Sequence, residues 1–197
     1  MGHPAGTEAS TVLRAQRGDD EARNELARSC QRQAYRYALH LTANPEDARD
    51  VAQDATLRFF ASLGRFDASR PVRPWLLRIV RNLIRDRARR RRARPAEVAQ
   101  PASEGVILEA VDLAPDPEAT TARREMQVVV WQALLELSLP HREVLALRDY
   151  MDLSYDEIAI ALKIPRGTVM SRLHRARRQL RDLVLGRLGQ RQEVSRA

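Results

Sequence analysis

Apolar residues recur every three or four positions along almost the whole chain, and this spacing restricts the fold more than any other feature. It places apolar side chains on one face of a helix, so it predicts amphipathic helices that pack against one another. The alternation of apolar and polar residues that marks a half-buried strand is missing. Aromatic residues are only 5% of the chain, and glycine (8) and proline (10) are few. The sequence therefore predicts an all-α fold.

Charge divides the 197 residues into three parts. Residues 1–94 carry a net charge of +9, residues 95–120 carry −6, and residues 121–197 carry +5. The acidic middle part holds four prolines and little helical periodicity, which is typical of a linker. We therefore predict two small helical domains joined by a flexible linker, with these bounds: first domain 8–94, linker 95–120, second domain 121–186, tail 187–197.

The basic residues indicate a polyanionic partner. The net charge is +8, and Lys163 is the only lysine among 34 basic residues. Arginine binds phosphates and guanine edges with two parallel hydrogen bonds, which suits nucleic acid. Two basic blocks around an acidic connector indicate two contacts with one polyanion, or one contact with each of two partners. The acidic connector either keeps the chain in solution or mimics DNA in a basic channel.

Several classes of protein are disfavoured. Cys30 is the only cysteine, which excludes an internal disulfide and a cysteine-based zinc site, and its apolar stripe predicts a core position. No stretch approaches the ~20 apolar residues of a membrane span, and the N-terminus lacks a signal-peptide pattern. The four histidines are scattered along the sequence. The sequence also contains no phosphate-binding glycine motif. We expect a soluble cytoplasmic protein with no membrane contact, catalytic residue, metal or cofactor.

The first domain ends in a helix with an unusually basic face. Asn44 and Pro45 begin the helix before it, which Gly64 ends, and Asp19 or Asp20 caps an earlier one. A loop over 66–73 follows, and Pro74 can then open the long helix. Its apolar stripe lies opposite a face that is either solvated or covered by an anion. That face carries Arg78, Arg81, Asn82, Arg85, Arg89 and Arg92.

The second domain has the pattern of a helix-turn-helix. Pro140 opens a helix that ends near Tyr150, and Ser154 with Glu157 forms a capping box for a short helix. After a turn at residues 163–167 comes a longer helix whose outer face carries Ser171, His174, Arg175 and Arg178. A second helix of this kind can offer its side chains to the major groove. An ordinary antiparallel helix pair would not explain the arginine bias of that face.

Four segments in order resemble the extracytoplasmic-function sigma factors of the sigma-70 family, over about residues 12–185. Residues 45–54 are similar to that family's region 2.2, and residues 75–89 to its regions 2.3 and 2.4. Residues 153–159 (LSYDEIA) and 167–177 (GTVMSRLHRAR) are similar to region 4. The resemblance implies a region 2 bundle in the first domain and a region 4 helix-turn-helix in the second. It implies an initiation factor that recognises −35 and −10 promoter elements, promotes melting and catalyses nothing.

The resemblance also implies residue roles. Core polymerase would be contacted through its β′ clamp helices and β flap, and an anti-sigma factor is a hypothesised further partner. In region 2.2, Asp50 and Asp54 lie four residues apart on one helix face, as a basic partner would require. Alternatively, Asp54 forms only a surface ion pair with Arg58. Asn82 can hold an unstacked base through its amide. The implied sites are core binding (Asp47, Asp50, Gln53, Asp54), −10 DNA (Asp67, Arg73, Trp75, Arg78, Asn82, Arg85) and −35 DNA (Arg166, Thr168, Ser171, Arg172, His174, Arg175, Arg178).

Two other functions compete with this interpretation. A regulator that binds operator DNA through residues 140–185 alone would explain the helix-turn-helix. It predicts a receiver or ligand domain in residues 20–94, whose pattern shows helices without alternating strands. An enzyme is the second alternative, and it lacks a recognisable catalytic motif.

Overall fold

A computed structural model describes residues 5–93 and 121–194, with side chains at residues 8–90 and 123–190. Within these ranges the chain is helical and forms no strand, so the all-α prediction is confirmed. The predicted linker over 95–120 lies outside the described residues.

The N-terminal bundle consists of α1 (Ala5–Gln16), α2 (Asp20–Thr42), α3 (Pro45–Leu63) and α4 (Val72–Ala93). Asp19 caps α2 by accepting a hydrogen bond from the Ala22 amide at 3.0 Å. Asn44 caps α3 through the amides of Glu46 and Asp47. Gly18 has a φ of +92°, a backbone conformation that glycine adopts without strain and that separates α1 from α2. Local sequence signals thus determine where α2 and α3 begin.

The fourth helix begins earlier than the sequence analysis placed it. Val72 starts α4, so Val72 and Arg73 are helical and Pro74 lies in the first turn. A proline is tolerated there because the first amides of a helix have no partner within it. Burial of Val72, which is 3% exposed, extends the helix back toward the loop.

The C-terminal bundle consists of α5 (Thr121–Glu136), α6 (Leu139–Leu145), α7 (Tyr155–Leu162) and α8 (Arg166–Val194). Both hydrogen bonds of the capping box at Ser154 form, as predicted. A π-helical turn over Ala146–Tyr150 follows α6, and the Met151 amide donates to the Ala146 carbonyl at 2.9 Å. The continuous helix expected from Pro140 to Tyr150 therefore changes register. Helix α8 also continues past residue 186, where the sequence analysis ended the domain.

The two bundles share a single hydrophobic core. Helix α2 packs against α6 and the π turn, and α4 packs against α7. Most of the predicted apolar stripes are buried, with Tyr37, Phe59 and Leu76 in one bundle and Leu134 and Leu173 in the other, whereas Met126 at the start of α5 is 42% exposed. The sequence analysis predicted two domains but not this packing between them.

Cys30 lies in the core on α2, as predicted, and is 1% exposed. Burial raises the pKa of its thiol to about 12, chiefly because the thiolate would lose hydration. We expect a thiol-specific disulfide reagent at pH 8 to leave the folded chain unmodified. In concentrated guanidinium it should titrate one thiol per chain. Equal reaction rates in both solvents would contradict the buried position.

Candidate nucleic-acid and polymerase-binding surfaces

The four residues predicted to bind core polymerase lie together on α3. Asp50 and Gln53 are exposed, and Asp47 and Asp54 are half-buried. Arg87 of α4 spans this group, with Nη2 at 3.1 Å from Asp54 and Nη1 at 3.9 Å from Asp50. The pair between Asp54 and Arg58 that competed with the functional interpretation is not formed within the described chain. The face therefore has one exposed and two half-buried carboxylates, and one arginine offsets part of their mutual repulsion.

Two features beside this acidic face were missed by the sequence analysis. Leu57 is 63% exposed one helical turn after Gln53, so an apolar side chain continues the face. A groove of about 420 Å³ between α2 and α3 adjoins it on the other side. The groove is lined by Arg28, Gln31, Arg32, Tyr35, Arg49 and Ala52. An acidic, an apolar and a basic contact are thus available to one protein partner.

The loop before α4 is fixed by an aromatic stack and a glutamine. Trp75 stacks on Phe66 with ring centroids 4.4 Å apart, and the centroid of its ring lies 4.8 Å from that of Phe59. Gln16 Nε2 donates to the carbonyls of Leu63 and Phe66, both at 2.8 Å. Gln16 lies 47 and 50 residues from these acceptors, so no local pattern marks it. The stack holds Trp75 half-buried at the edge of the proposed DNA surface.

Asp67 shapes the same loop. Its carboxylate accepts hydrogen bonds from the hydroxyl and the amide of Ser69, at 2.6 and 3.0 Å, and lies 3.3 Å from Arg70. The Ser69 hydroxyl bond, followed by the amide bond, lowers the pKa of the Asp67 carboxyl. These hydrogen bonds hold the backbone of the loop in a turn. Asp67 therefore stabilises the loop, in addition to the DNA contact expected of it.

The basic face of α4 is divided between solvent and the C-terminal bundle. Asn82 is exposed and Arg78 half-buried, and neither side chain forms a hydrogen bond or ion pair within the described ranges. Arg73 donates to the carbonyl of Met151, and Arg85 binds Glu143 of α6. The structure therefore brings the predicted −10 residues of α4 onto one helix, with two of them engaged by the other bundle.

Glu143 is the centre of the contact between the bundles. Its side chain is fully buried, and its two oxygens accept hydrogen bonds from Arg85 Nε at 3.0 Å and Nη2 at 2.9 Å. Arg81 Nε donates to Oε1 at 3.0 Å. The sequence analysis placed both arginines on the outer face of α4 but assigned nothing to Glu143. Two guanidinium groups around one carboxylate is the arrangement that makes a buried charge tolerable.

His40 of α2 lies in the same interface, between two rings of the C-terminal bundle. Its ring centroid is 4.7 Å from Trp131 and 4.1 Å from Tyr150. Burial, and secondarily the charge of Arg36, lowers the pKa of His40 to about 3. Arg142 crosses the interface in the other direction and donates to the Leu41 carbonyl at 3.0 Å. The interface thus buries a neutral imidazole that would be protonated more readily in water.

The outer face of α8 is free to meet a ligand. Ser171, His174, Arg175 and Arg178 are exposed, while Thr168 and Arg172 are half-buried. Among the described residues, none of Arg172, Arg175 and Arg178 pairs with a carboxylate. Arg166, at the start of the helix, lies 3.6 Å from Asp156. The structure thus brings the seven predicted −35 residues onto one helix, and four of them share an exposed surface.

The described residues hold no cluster of three metal-ligating side chains, and no described helix is long and apolar enough to cross a membrane.

Comparison with known families and proteins follows the same division of the chain. Residues 26–94 match the family model of sigma-70 region 2, and residues 127–180 match that of sigma-70 region 4. The ECF RNA polymerase sigma factor SigW of Bacillus subtilis is 32% identical over 181 residues, covering 87% of this chain and 96% of that protein. SigL of Mycobacterium tuberculosis is 36% identical over 162 residues, covering 79% of this chain and 84% of SigL.

Solved structures show a similar fold. CnrH, determined in complex with the cytosolic domain of CnrY, has a TM-score of 0.68 at 24% identity and covers 93% of this chain and 99% of CnrH. The sigma factor RpoE of Bartonella quintana, determined with the anti-sigma factor NepR, has a TM-score of 0.59 at 24% identity. That match covers 78% of this chain and 91% of RpoE.

The position of His40 predicts that acid loosens the interface. On unfolding, His40 loses its contacts with Trp131 and Tyr150 and its pKa returns to near 6.5, so the unfolded chain takes up a proton at a pH where the folded chain does not. Stability should be full above pH 6.5 and fall as the pH drops below it, by about 2 kcal/mol between pH 7 and pH 5. Denaturant unfolding at both pH values measures the loss. The free energy of unfolding of the His40→Phe variant should fall clearly less between pH 7 and pH 5. An equal fall in the variant and the wild-type chain would contradict the assignment of this pH dependence to His40.

Proposed function

Because the chain belongs to the extracytoplasmic-function sigma factors of the sigma-70 family, we propose a role for each exposed surface in promoter recognition. A sigma factor binds core RNA polymerase and directs initiation at promoters, and it is not an enzyme. The operator-binding alternative required a receiver or ligand domain in residues 20–94, and most of that segment matches sigma-70 region 2 instead. That alternative is therefore wrong.

The outer face of α8 carries the proposal most directly. It is the second helix of a capped helix-turn-helix, and three arginines on it lack carboxylate partners within the described ranges. Arginine and histidine at the start of such a helix can reach phosphates and base edges in the major groove. We assign the −35 element to Arg166, Thr168, Ser171, Arg172, His174, Arg175 and Arg178.

The N-terminal bundle is proposed to open and hold the −10 element. Asn82 offers an amide donor and acceptor to the edge of an unstacked base. Arg78 and Arg85 flank it on α4 and can bind the phosphates of the same strand. Trp75 and the loop residue Asp67 border this surface, and Arg73 completes the set. The unstacking of a captured base costs a few kcal/mol, which these contacts would offset.

The acidic face of α3 is proposed to bind the β′ clamp helices of core polymerase. Asp47, Asp50, Gln53 and Asp54 share this face, and a basic partner would compete with Arg87 for the carboxylates. The C-terminal bundle would bind the β flap. Residues 8–94 and 121–186 would act as separate domains there, with residues 95–120 leading toward the RNA exit channel. Such a complex would be cytoplasmic, where the polymerase transcribes.

An inhibitor protein is a further proposed partner. CnrH was determined in complex with the cytosolic domain of CnrY, and RpoE was determined in complex with NepR, an anti-sigma factor. In this chain such a protein would have the α3 face and its basic groove available as contacts. Its binding there would exclude the polymerase by occupying the same carboxylates.

Run-off transcription tests the proposed function. Core polymerase with and without the chain would transcribe genomic DNA of the source organism, and sequencing would locate the RNA 5′ ends. New start sites that share upstream elements near −35 and −10 are expected. Active core polymerase and folded chain without new starts would contradict the proposal.

Two variants separate the two DNA contacts. Arg175→Ala should weaken binding to duplex −35 DNA by about 1–3 kcal/mol, because it removes a phosphate or guanine contact. Asn82→Ala should impair opening, and a premelted −10 template should relieve only the melting part of its defect. Fluorescence of a base analogue in the −10 element measures opening. Arg181→Ala, which removes an α8 arginine paired with Asp182, is the control. If the two variants behave alike on duplex and premelted templates, the division of roles is wrong.

A further inference from the structure

The contact between the bundles covers part of the surface assigned to DNA. Arg85, one of the proposed −10 residues, uses both Nε and Nη2 to bind Glu143. Arg73, another of them, donates to the Met151 carbonyl. The C-terminal bundle therefore occupies groups of the N-terminal bundle that the proposed function needs for nucleic acid.

The chemistry of this contact matches that of a phosphate site. Arginine presents parallel N–H groups that fit the two oxygens of a carboxylate or of a phosphate equally well. Arg81 adds a third donor to the same Glu143 oxygen that Arg85 Nε binds. Glu143 thus stands where an anionic DNA oxygen would be held by the same two side chains.

We propose that Arg81 and Arg85 form a phosphate site for the −10 strand, and that Glu143 fills this site when the C-terminal bundle closes over the N-terminal bundle. The proposal rests on the proposed function and deepens it, because it makes Arg81 a DNA-binding residue and Glu143 an internal competitor of DNA. In the closed chain the −35 face of α8 is exposed, whereas the −10 face of α4 is partly blocked.

Promoter geometry requires the closed arrangement to open. Elements near −35 and −10 are about 25 base pairs apart, which is about 85 Å along B-DNA. One body in which α4 packs against α7 cannot lie on both elements at once. The 26 residues from 95 to 120 can span at most ~90 Å when fully extended, so the chain is long enough to place one bundle on each. Binding to both elements and closure of Glu143 on Arg81 and Arg85 are therefore mutually exclusive.

Other hydrogen bonds across the interface join an arginine side chain to a backbone carbonyl. Arg36 of α2 donates to the Tyr150 carbonyl at 3.4 Å, and Arg142 of α6 donates to the Leu41 carbonyl at 3.0 Å. These bonds join a guanidinium to a backbone oxygen, and water can replace either partner on opening. Within the described interface, Glu143 is the only fully buried charged side chain that pairs with two charged side chains of the other bundle. A test of closure should therefore disrupt the contact of Glu143 with Arg81 and Arg85.

The test compares Glu143→Gln with a matched control in the full-length chain. Glu136→Gln makes the same change in the C-terminal bundle, at a carboxylate that pairs with Arg187 of its own bundle. Small-angle scattering measures compactness, and a fluorescein-labelled single-stranded DNA of mixed sequence measures anion binding. We expect Glu143→Gln to raise the radius of gyration by on the order of 5 Å. We expect it to bind the oligonucleotide about tenfold more tightly, because more of the chain is in the competent form.

A second variant guards against misfolding of the C-terminal bundle. Arg81→Gln weakens the same contact from the N-terminal bundle, because it removes one of the two guanidinium groups that hold Glu143. It should therefore expand the chain while the C-terminal bundle keeps its sequence. Its DNA affinity should stay below that of Glu143→Gln, since one phosphate ligand is gone. Circular dichroism reports the helix content of each variant.

The outcomes separate this inference from the proposed function. Expansion of both variants, with tighter DNA binding by Glu143→Gln and neither effect in Glu136→Gln, supports closure. Unchanged compactness in both variants overturns it, even if the wild-type chain directs promoter-specific run-off transcription. Expansion without tighter DNA binding overturns the phosphate site. Failure of the wild-type chain in run-off transcription contradicts the proposed function and the role of Arg81 in DNA binding. Scattering still tests closure independently of that result.

Discussion

The Glu143 carboxylate is fully buried between Arg81 and Arg85, and the arrangement of the two bundles depends on that contact. Removing one member of a buried ion pair typically costs about 3–5 kcal/mol, so the contact selects one way of packing. The surrounding interface is less well satisfied. Tyr37 Oη, His40 Nδ1 and Trp131 Nε1 are buried without a hydrogen-bond partner among the described protein atoms. Each such group typically costs about 1–3 kcal/mol, so the interface is specific in geometry but modest in net stability. A closure with those two properties can be released by a competing partner.

The same contact explains how α4 can carry so many arginines. The sequence left open whether this face is solvated or covered by an anion. The structure shows both: Glu143 covers Arg81 and Arg85, Arg87 turns to the carboxylates of α3, and Arg78 is left without a charged partner within the described ranges. Part of the positive charge of α4 is thus balanced by carboxylates of the same chain. Nucleic acid and polymerase would replace those internal partners at Arg81, Arg85 and Arg87, whereas Arg78 has no internal partner to lose.

Features that depend on neighbours in sequence were predictable, and those that depend on distant contacts were not. The caps at Asn44 and Ser154 and the outer face of α8 follow from local spacing, as does the burial of Cys30. The start of α4 at Val72 and the π turn at Ala146–Tyr150 depend on tertiary packing, which overrides local signals. Gln16, Leu57 and Glu143 carry no motif, because their roles come from partners or exposure that only the folded chain defines. The site residues on α3, α4 and α8 came from the family resemblance, and their roles stay predictions.

The central claim is that one chain has two arrangements of its bundles, closed when free and separated on the promoter. Pulsed electron-spin distances between labels at Leu13→Cys and Ile160→Cys, two exposed positions outside the proposed binding surfaces, test it directly in a Cys30→Ala background. The free chain should give a single narrow distance distribution. With core polymerase and promoter DNA, that distribution should be replaced by one on the order of tens of Å longer. The same distribution in both samples, or a long and broad one in the free chain, would contradict the claim.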